Sequence, residues 1–242
     1  MADKTIIGLS GLMALQEAMD HVANNIANQT TTGYRAQHAA FSEYLKKEKD
    51  SEEAVLMRAP TAMVDVRTVA DLSAGGVKLT GAPLDSAIVG AGYFVVQTPN
   101  GPRYTRNGAF VIDGTGQLTT MTGDRVATAS GATAPPNAEV TLGNDGQLSA
   151  NGLPYNRLRL VTFNDPRQLQ PAGAAQFQTT QQAVDIPGPS MRLVTGALEQ
   201  SNVNAVMEVA RMSEITRAYQ QISETVMKSD GNDELARLAG TE

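Results

Sequence analysis

The chain has 242 residues and a formal net charge of −6, with 41% apolar and 18% charged residues, enough for one large domain or two modest ones. It contains no Cys and no Trp, which excludes disulfides, thiolate nucleophiles and Cys-ligated metals. The acidic balance carries no basic stripe of the kind nucleic-acid phosphates require, and no apolar run reaches the ~18 residues of a membrane span.

From Thr5 to Asn28, apolar residues step three, four, three, four through Leu12, Leu15, Met19, Val22 and Ile26. That spacing predicts a helix with one narrow seam, and a seam that narrow asks for another helix. Gly8 and Gly11 weaken its first turns by roughly 1 kcal/mol each relative to Ala. Alone in water such a helix is marginal. Glu17 and Asp20 interrupt any apolar run, so the stretch does not resemble a Sec signal. Asn24, Asn25 and Asn28 then lead into Thr30-Thr31-Thr32-Gly33-Tyr34-Arg35. Asn and Thr compete for backbone hydrogen bonds, and Gly33 can turn left-handed, which predicts a helix stop and a turn. The three Asn residues read either as capping and turn chemistry or as a polar contact between subunits.

Phe41, Tyr44 and Leu45 are spaced for one or two further helical turns. Lys46 to Glu53 mixes charge signs and reads as a solvated linker or loop tip. Met63 to Val69 fits a short alternating strand. From Gly81 the pattern is β. Pro83 to Val89 is one strand candidate, and Tyr93 to Gln97 is a buried strand after the Gly90-Ala91-Gly92 turn. Pro99-Asn100-Gly101 is a hairpin turn, with return strands at Arg103–Arg106 and Ala109–Ile112. Turns at Asp113–Gly116 and Asn144–Gly146 divide further short strands. Arg157 to Phe163 alternates, with Leu158, Leu160 and Thr162 on one face and Val161 and Phe163 on the other. The spacing of turns predicts a twisted, mostly antiparallel domain, partly barrel-like.

Pro187-Gly188-Pro189 breaks the chain. A second helix is expected from Leu198 to about Ser229, capped by Ser201 or Asn202 and stopped at Asp230 to Asp233. Met212, Ile215, Tyr219, Ile222 and Val226 repeat the three-four step of the first helix. The fold class expected is therefore α+β: terminal helices forming a coiled-coil-type pair, with a central antiparallel β-domain. The expected divisions are residues 1–35 (helix and turn), 36–80 (linker), 81–192 (β-domain) and 193–242 (C-terminal helix).

Nothing in the sequence assembles a catalytic site. His21 and His38 stand alone, and a helix-surface role outweighs metal ligation. Gly90-Ala91-Gly92 lacks the third glycine and following helix of a phosphate loop. Asp85, Asp113, Asp124 and Asp145 lie beside turns, where Asp serves structure. Ser10 and Ser86 have no nucleophile-elbow context. No cofactor and no metal are expected.

Three stretches resemble the flagellar rod and hook proteins. The first is carried by Asn24, Asn25, Ala27, Asn28, Thr32, Gly33 and Tyr34. The second is APLDSAIVGAGYFVVQTPNGPRYTRNGAFVIDGTGQL, with Gly90, Gly92, Phe94, Tyr104, Arg106, Gly108 and Phe110 matching. The third is GALEQSNVNAV, from Gly196 to Val206. The order and the coverage of both ends and the middle make the resemblance specific. Gln29, Thr30 and Tyr93 depart from the residues common in the family. The length excludes a typical hook protein, and the opening stretch looks closer to proximal than to distal rod proteins. The resemblance implies export through the flagellar type III apparatus and terminal helices that are largely unfolded in the monomer. It further implies that these helices pair with those of other rod subunits and of further copies, in a tube spanning the periplasm, without membrane insertion. A soluble oligomeric β-domain binding module, and a secreted hydrolase with paired carboxylates, are the readings from other classes.

Overall fold

The computed structural model describes residues 2–45, 62–135 and 137–239. Helices α1 (Ala2–Ala27) and α2 (Ala205–Ala239) lie at the two ends of the chain. Between them run β1 (Gln37–Leu45), β2 (Ala62–Ala70), β3 (Val77–Leu79), β4 (Ser86–Ile88), β5 (Tyr93–Thr98), β6 (Gly101–Thr105), β7 (Phe110–Ile112), β8 (Leu118–Thr120) and β9 (Arg125–Val126). They are followed by β10 (Val140–Leu142), β11 (Gln147–Ala150), β12 (Leu153–Arg157), β13 (Leu160–Thr162), β14 (Gln170–Pro171), β15 (Gln176–Gln178), β16 (Val184–Asp185), β17 (Leu193–Thr195) and β18 (Ala197–Glu199). The architecture is α+β. The chain divides into two compact units: Met1–Ile26 with Gln37–Val69 and Asn204–Glu242, and Ala27–Ala36 with Ala70–Val203.

The second unit is built around β5. This strand pairs antiparallel with β6, β9 and β13, and its first four residues are all buried. Successive side chains on a strand point to opposite faces, so β5 feeds two cores. Phe94 and Val96 enter one, with Phe110, Leu118 and Leu148. Tyr93 and Val95 enter the other, with Tyr104, Phe163 and Phe177. Each core holds an edge-to-face aromatic pair: Phe94 on Phe110 at 4.9 Å, and Tyr104 on Phe163 at 4.7 Å. Burial of each such side chain contributes about 1.5–3 kcal/mol. The alternation expected from Arg157 to Phe163 sorts in the same way. Leu158 and Leu160 enter the first core, Val161 and Phe163 the second. The stretch is nonetheless two strands, β12 in the three-stranded sheet β10–β11–β12 and β13 on β5. The longest sheet runs β14–β15–β6–β5–β9–β8–β7, with β13 branching from β5 and β16 pairing with β13.

Several expectations are corrected. Residues Gln37–Leu45 form strand β1, paired with β2, and not further helical turns. The Pro83–Val89 candidate shrinks to Ser86–Ile88. The stretch from Leu198 is β18, paired with β3, and α2 begins only at Ala205. Its cap is Asn204, whose Oδ1 accepts from the amides of Val206 and Met207. Asn202 is engaged elsewhere. At its far end α2 runs through Gly231 to Ala239, since one glycine costs only about 1 kcal/mol against a long helix. Lys46 to Glu53, expected as a solvated linker, lies outside the described residues.

In the first unit α1 and α2 run antiparallel. Gly8 faces Val226 and Gly11 faces Ile222, while towards the other end Asn25 meets Glu208. The contact is close at Gly8: a Cβ there would lie 2.5 Å from Val226 Cγ2.

Candidate functional site

Two features organise the functional residues: the pair of terminal helices, and a buried ionic cluster in the second unit that joins three distant segments.

On α1, Val22 is buried and Leu12, Leu15, Met19 and Ile26 are half-buried. The most buried positions are Ala14, Ala18, Val22 and Asn25. At Gly8, on the same helix, the missing side chain lets the helices approach closely. On α2, Met212, Ile215, Tyr219, Ile222 and Val226 are all half-buried. Large apolar side chains remain outside the pair: Leu9, Met13, Val206, Met207 and Val209 are exposed. Asn25 is the polar element of this unit. Its Oδ1 accepts from Gln37 N and its Nδ2 donates to Gln37 O, both at 2.8 Å, with Glu208 Oε2 a further acceptor at 3.3 Å. Asn25 thus imitates a strand partner for β1, and its amide is satisfied at both ends. His38 Nδ1 lies 2.8 Å from Arg211 Nη1, and His21 Nε2 lies 3.2 Å from Thr68 Oγ1. Among the described residues no cluster of His, Asp or Glu could hold a metal, and no helix is long and apolar enough to cross a membrane.

The remaining motif residues lie in or beside the turn after α1. Asn24 is exposed, and Asn28 Oδ1 accepts from the Thr31 hydroxyl at 3.1 Å. Gly33 has φ of 68°, and a Cβ there would meet the backbone of Arg106 and Asn107. Only glycine fits both constraints. Tyr34 is buried.

This close approach brings Arg35 to the ionic cluster. Glu199, on β18, is almost wholly buried. Its Oε1 lies 2.6 Å from Arg35 Nη2 and its Oε2 lies 3.5 Å from Arg106 Nη1. Oε1 also accepts from Gly75 N at 3.1 Å, and the Glu199 carbonyl accepts from Gly33 N at 2.8 Å. Arg106 donates further to Gly90 O at 2.6 Å and lies over the Tyr93 ring at 5.3 Å. Arg35 donates to the Ser73 carbonyl. Burial lowers the Arg106 pKa from its usual value. Glu199 opposes that shift and Arg35 adds to it. Burial raises the Tyr93 hydroxyl pKa, with Arg106 and then Arg35 opposing. Asn202 completes the arrangement: its Oδ1 accepts from Ala36 N at 2.7 Å, and its Nδ2 donates to Asp71 O and Ser73 O at 3.0 and 3.1 Å.

The sequence signals for this cluster are its positions: Arg106 and Glu199 fall in the second and third stretches that resemble the rod and hook proteins, and Arg35 directly follows Tyr34 of the first. Spacing alone could not pair them. Two guanidiniums share one carboxylate, and the Nε atoms of both are buried without a hydrogen-bond partner among the described residues.

The comparisons match the same three stretches. Residues 7–35 match the family described as flagella basal body rod protein, residues 87–150 the flagellar hook protein FlgE/F/G D1 domain, and residues 194–237 the flagellar basal body rod FlgEFG protein C-terminal family. The flagellar basal-body rod protein FlgF of Caulobacter vibrioides is 32% identical over 99% of this chain and 97% of its own length. That of Escherichia coli is 31% identical over 94% and 93%. The flagellar basal-body rod protein FlgG of Bacillus subtilis is 30% identical over 92% and 93%.

Proposed function

The chain belongs to the flagellar basal-body rod protein family, and from that premise we propose that it is a structural subunit of the rod, joined to its neighbours through its paired terminal helices. Its place is the basal body, and its task is mechanical: many copies of a narrow helical contact add up to a hollow shaft that carries torque from motor to hook. The observation that carries this reading is the one-sided packing of the helices. The α1–α2 contact brings Gly8 against Val226 and Gly11 against Ile222, yet leaves Val206 78% and Met207 66% exposed. Apolar side chains of that size on a helix with no cover call for helices of neighbouring copies. A head-to-tail contact of this kind generates an open helical assembly and not a closed dimer.

The partners in this reading are other rod subunits, further copies of this chain and the flagellar type III export apparatus. The absence of Cys suits passage as an unfolded chain into an oxidising compartment. The reading places the chain in the proximal rod, supported by its likeness to the FlgF relatives, with the distal rod as the alternative, and no catalytic role is part of the proposal. Deletion of the gene, scored by soft-agar motility and electron microscopy of extracted basal bodies, tests it. Non-motile cells with rings but no completed rod, rescued by the intact gene, are expected. Normal swimming with intact hooks would overturn it.

A further inference from the structure

The ionic cluster has a property that a simple core contact lacks: its three charged groups come from one central strand end and from the two segments that lead to the terminal helices. Arg35 follows the turn after α1, Glu199 closes the last strand before α2, and Arg106 ends just beyond β6 in the body of the second unit. We propose that Arg35, Glu199 and Arg106 form a latch that makes the N-terminal and C-terminal arms order together on the β-body, so that neither arm docks alone.

Each arm supplies what the other requires. With Glu199 absent, Arg35 keeps only the Ser73 carbonyl among its described partners, and two buried guanidiniums face each other with no carboxylate between them. With Arg35 absent, Glu199 keeps the Gly75 amide and the longer 3.5 Å contact to Arg106. A buried ion that loses its partner is strongly destabilising, whereas the complete set is tolerated. Backbone bonds follow the same logic. Gly33 N donates to Glu199 O, and Ala36 N donates to Asn202 Oδ1, so each arm satisfies donors of the other. Arg106 is the fixed member, held by Gly90 O, Ile88 O and the Tyr93 ring. Once the latch is closed, the two segments that continue into α1 and α2 start from hydrogen-bonded neighbours, and each helix meets the other at a raised effective concentration.

Amide hydrogen exchange on the purified full chain tests the latch independently of the rod reading. The reporters are Gly33 and Ala36 in one arm, Gln200 in the other, and Ala127 and Ile186 in the β-body, all of them hydrogen-bonded donors. In Arg35→Gln and in Glu199→Gln, exchange should rise about tenfold or more in both arms while the body reporters hold their rates. Arg35→Lys, which keeps the charge, should open the arms less than Arg35→Gln. Three results would overturn the proposal. One is Arg35→Gln loosening residues 33 and 36 while Gln200 stays protected. Another is arms already unprotected in the unaltered chain. The third is the body reporters opening together with the arms, which would make the cluster an ordinary part of the core.

Discussion

The two units of the chain solve the same problem, the burial of apolar surface, at very different depth. In the second unit β5 is covered on both faces, and Phe94, Val95, Val96, Leu160 and Val161 are essentially removed from water. In the first, Ala14, Ala18 and Val22 are buried, while Leu9, Met13, Val206, Met207 and Val209 stay exposed. A strand between two cores is complete in one chain. A helix pair that meets through Gly8 and Gly11 and leaves large apolar side chains exposed is, in the proposed function, half of an interface. In that reading folding belongs to one region and assembly to the other.

The comparison breaks most visibly if the helix contact is removed. Ile222→Asp, which sets a charge against Gly11 on α1, is expected to abolish rod assembly and swimming while the exchange protection of residues 86–178 is unchanged. A variant that still builds rods would show that this helix face is not a contact. Next in size is Phe94→Ala. Its site in the first core is fully buried against Phe110, and urea unfolding should show a loss of about 3–5 kcal/mol from the β-body.

A smaller substitution pair sharpens the contrast. Gly8→Ala and Gly11→Ala each raise intrinsic helix propensity by about 1 kcal/mol. A Cβ at Gly11 has room, 3.9 Å from Ile222 Cδ1, whereas one at Gly8 would lie 2.5 Å from Val226 Cγ2. Gly11→Ala should therefore support motility at the level of the unaltered chain or above it, and Gly8→Ala should reduce swimming despite higher helicity by circular dichroism. Equal behaviour of the two would remove close approach as a feature of the seam.

The smallest effect concerns pH. The Thr115 hydroxyl, then the Gln117 and Thr115 amides, hold the Asp113 carboxyl below its ordinary range. A carboxyl lowered in the folded state stabilises above its unfolded pKa and loses that contribution as pH falls through its folded value. The midpoint difference between the unaltered chain and Asp113→Asn should thus be constant from neutral pH down to the usual carboxylate range and shrink below it.

What could be read from the sequence was local. The alternation from Leu158 to Phe163 is a period of two, and it sorted Leu158 and Leu160 from Val161 and Phe163 correctly even where the strand itself is broken. The same locality misled at Phe41, Tyr44 and Leu45, whose three-and-four spacing suits a helix. Residues 37–45 are a strand because β2 pairs with them, and no pattern within nine residues contains that fact. Asn202 looked like a cap and is instead bound to the backbone of Asp71 and Ser73, so the cap moved to Asn204. The ionic cluster was the least legible part, since Arg106 and Glu199 stand 93 residues apart. A buried charge shows no periodicity. Only the distant partner explains it.

Asn25 has a consequence for the register of the two helices. A helix contact made at Gly8 and Gly11 offers few side-chain features, and on such a surface two helices could slip by a turn, ~5.4 Å, with little change in packing. Asn25 holds β1 through two hydrogen bonds to Gln37, and its bond to Glu208 on α2 exists in one axial position of the two helices. The side chain acts as a dowel. In the proposed rod, axial errors within each part would add along the stack, and a pin in every copy would keep them small.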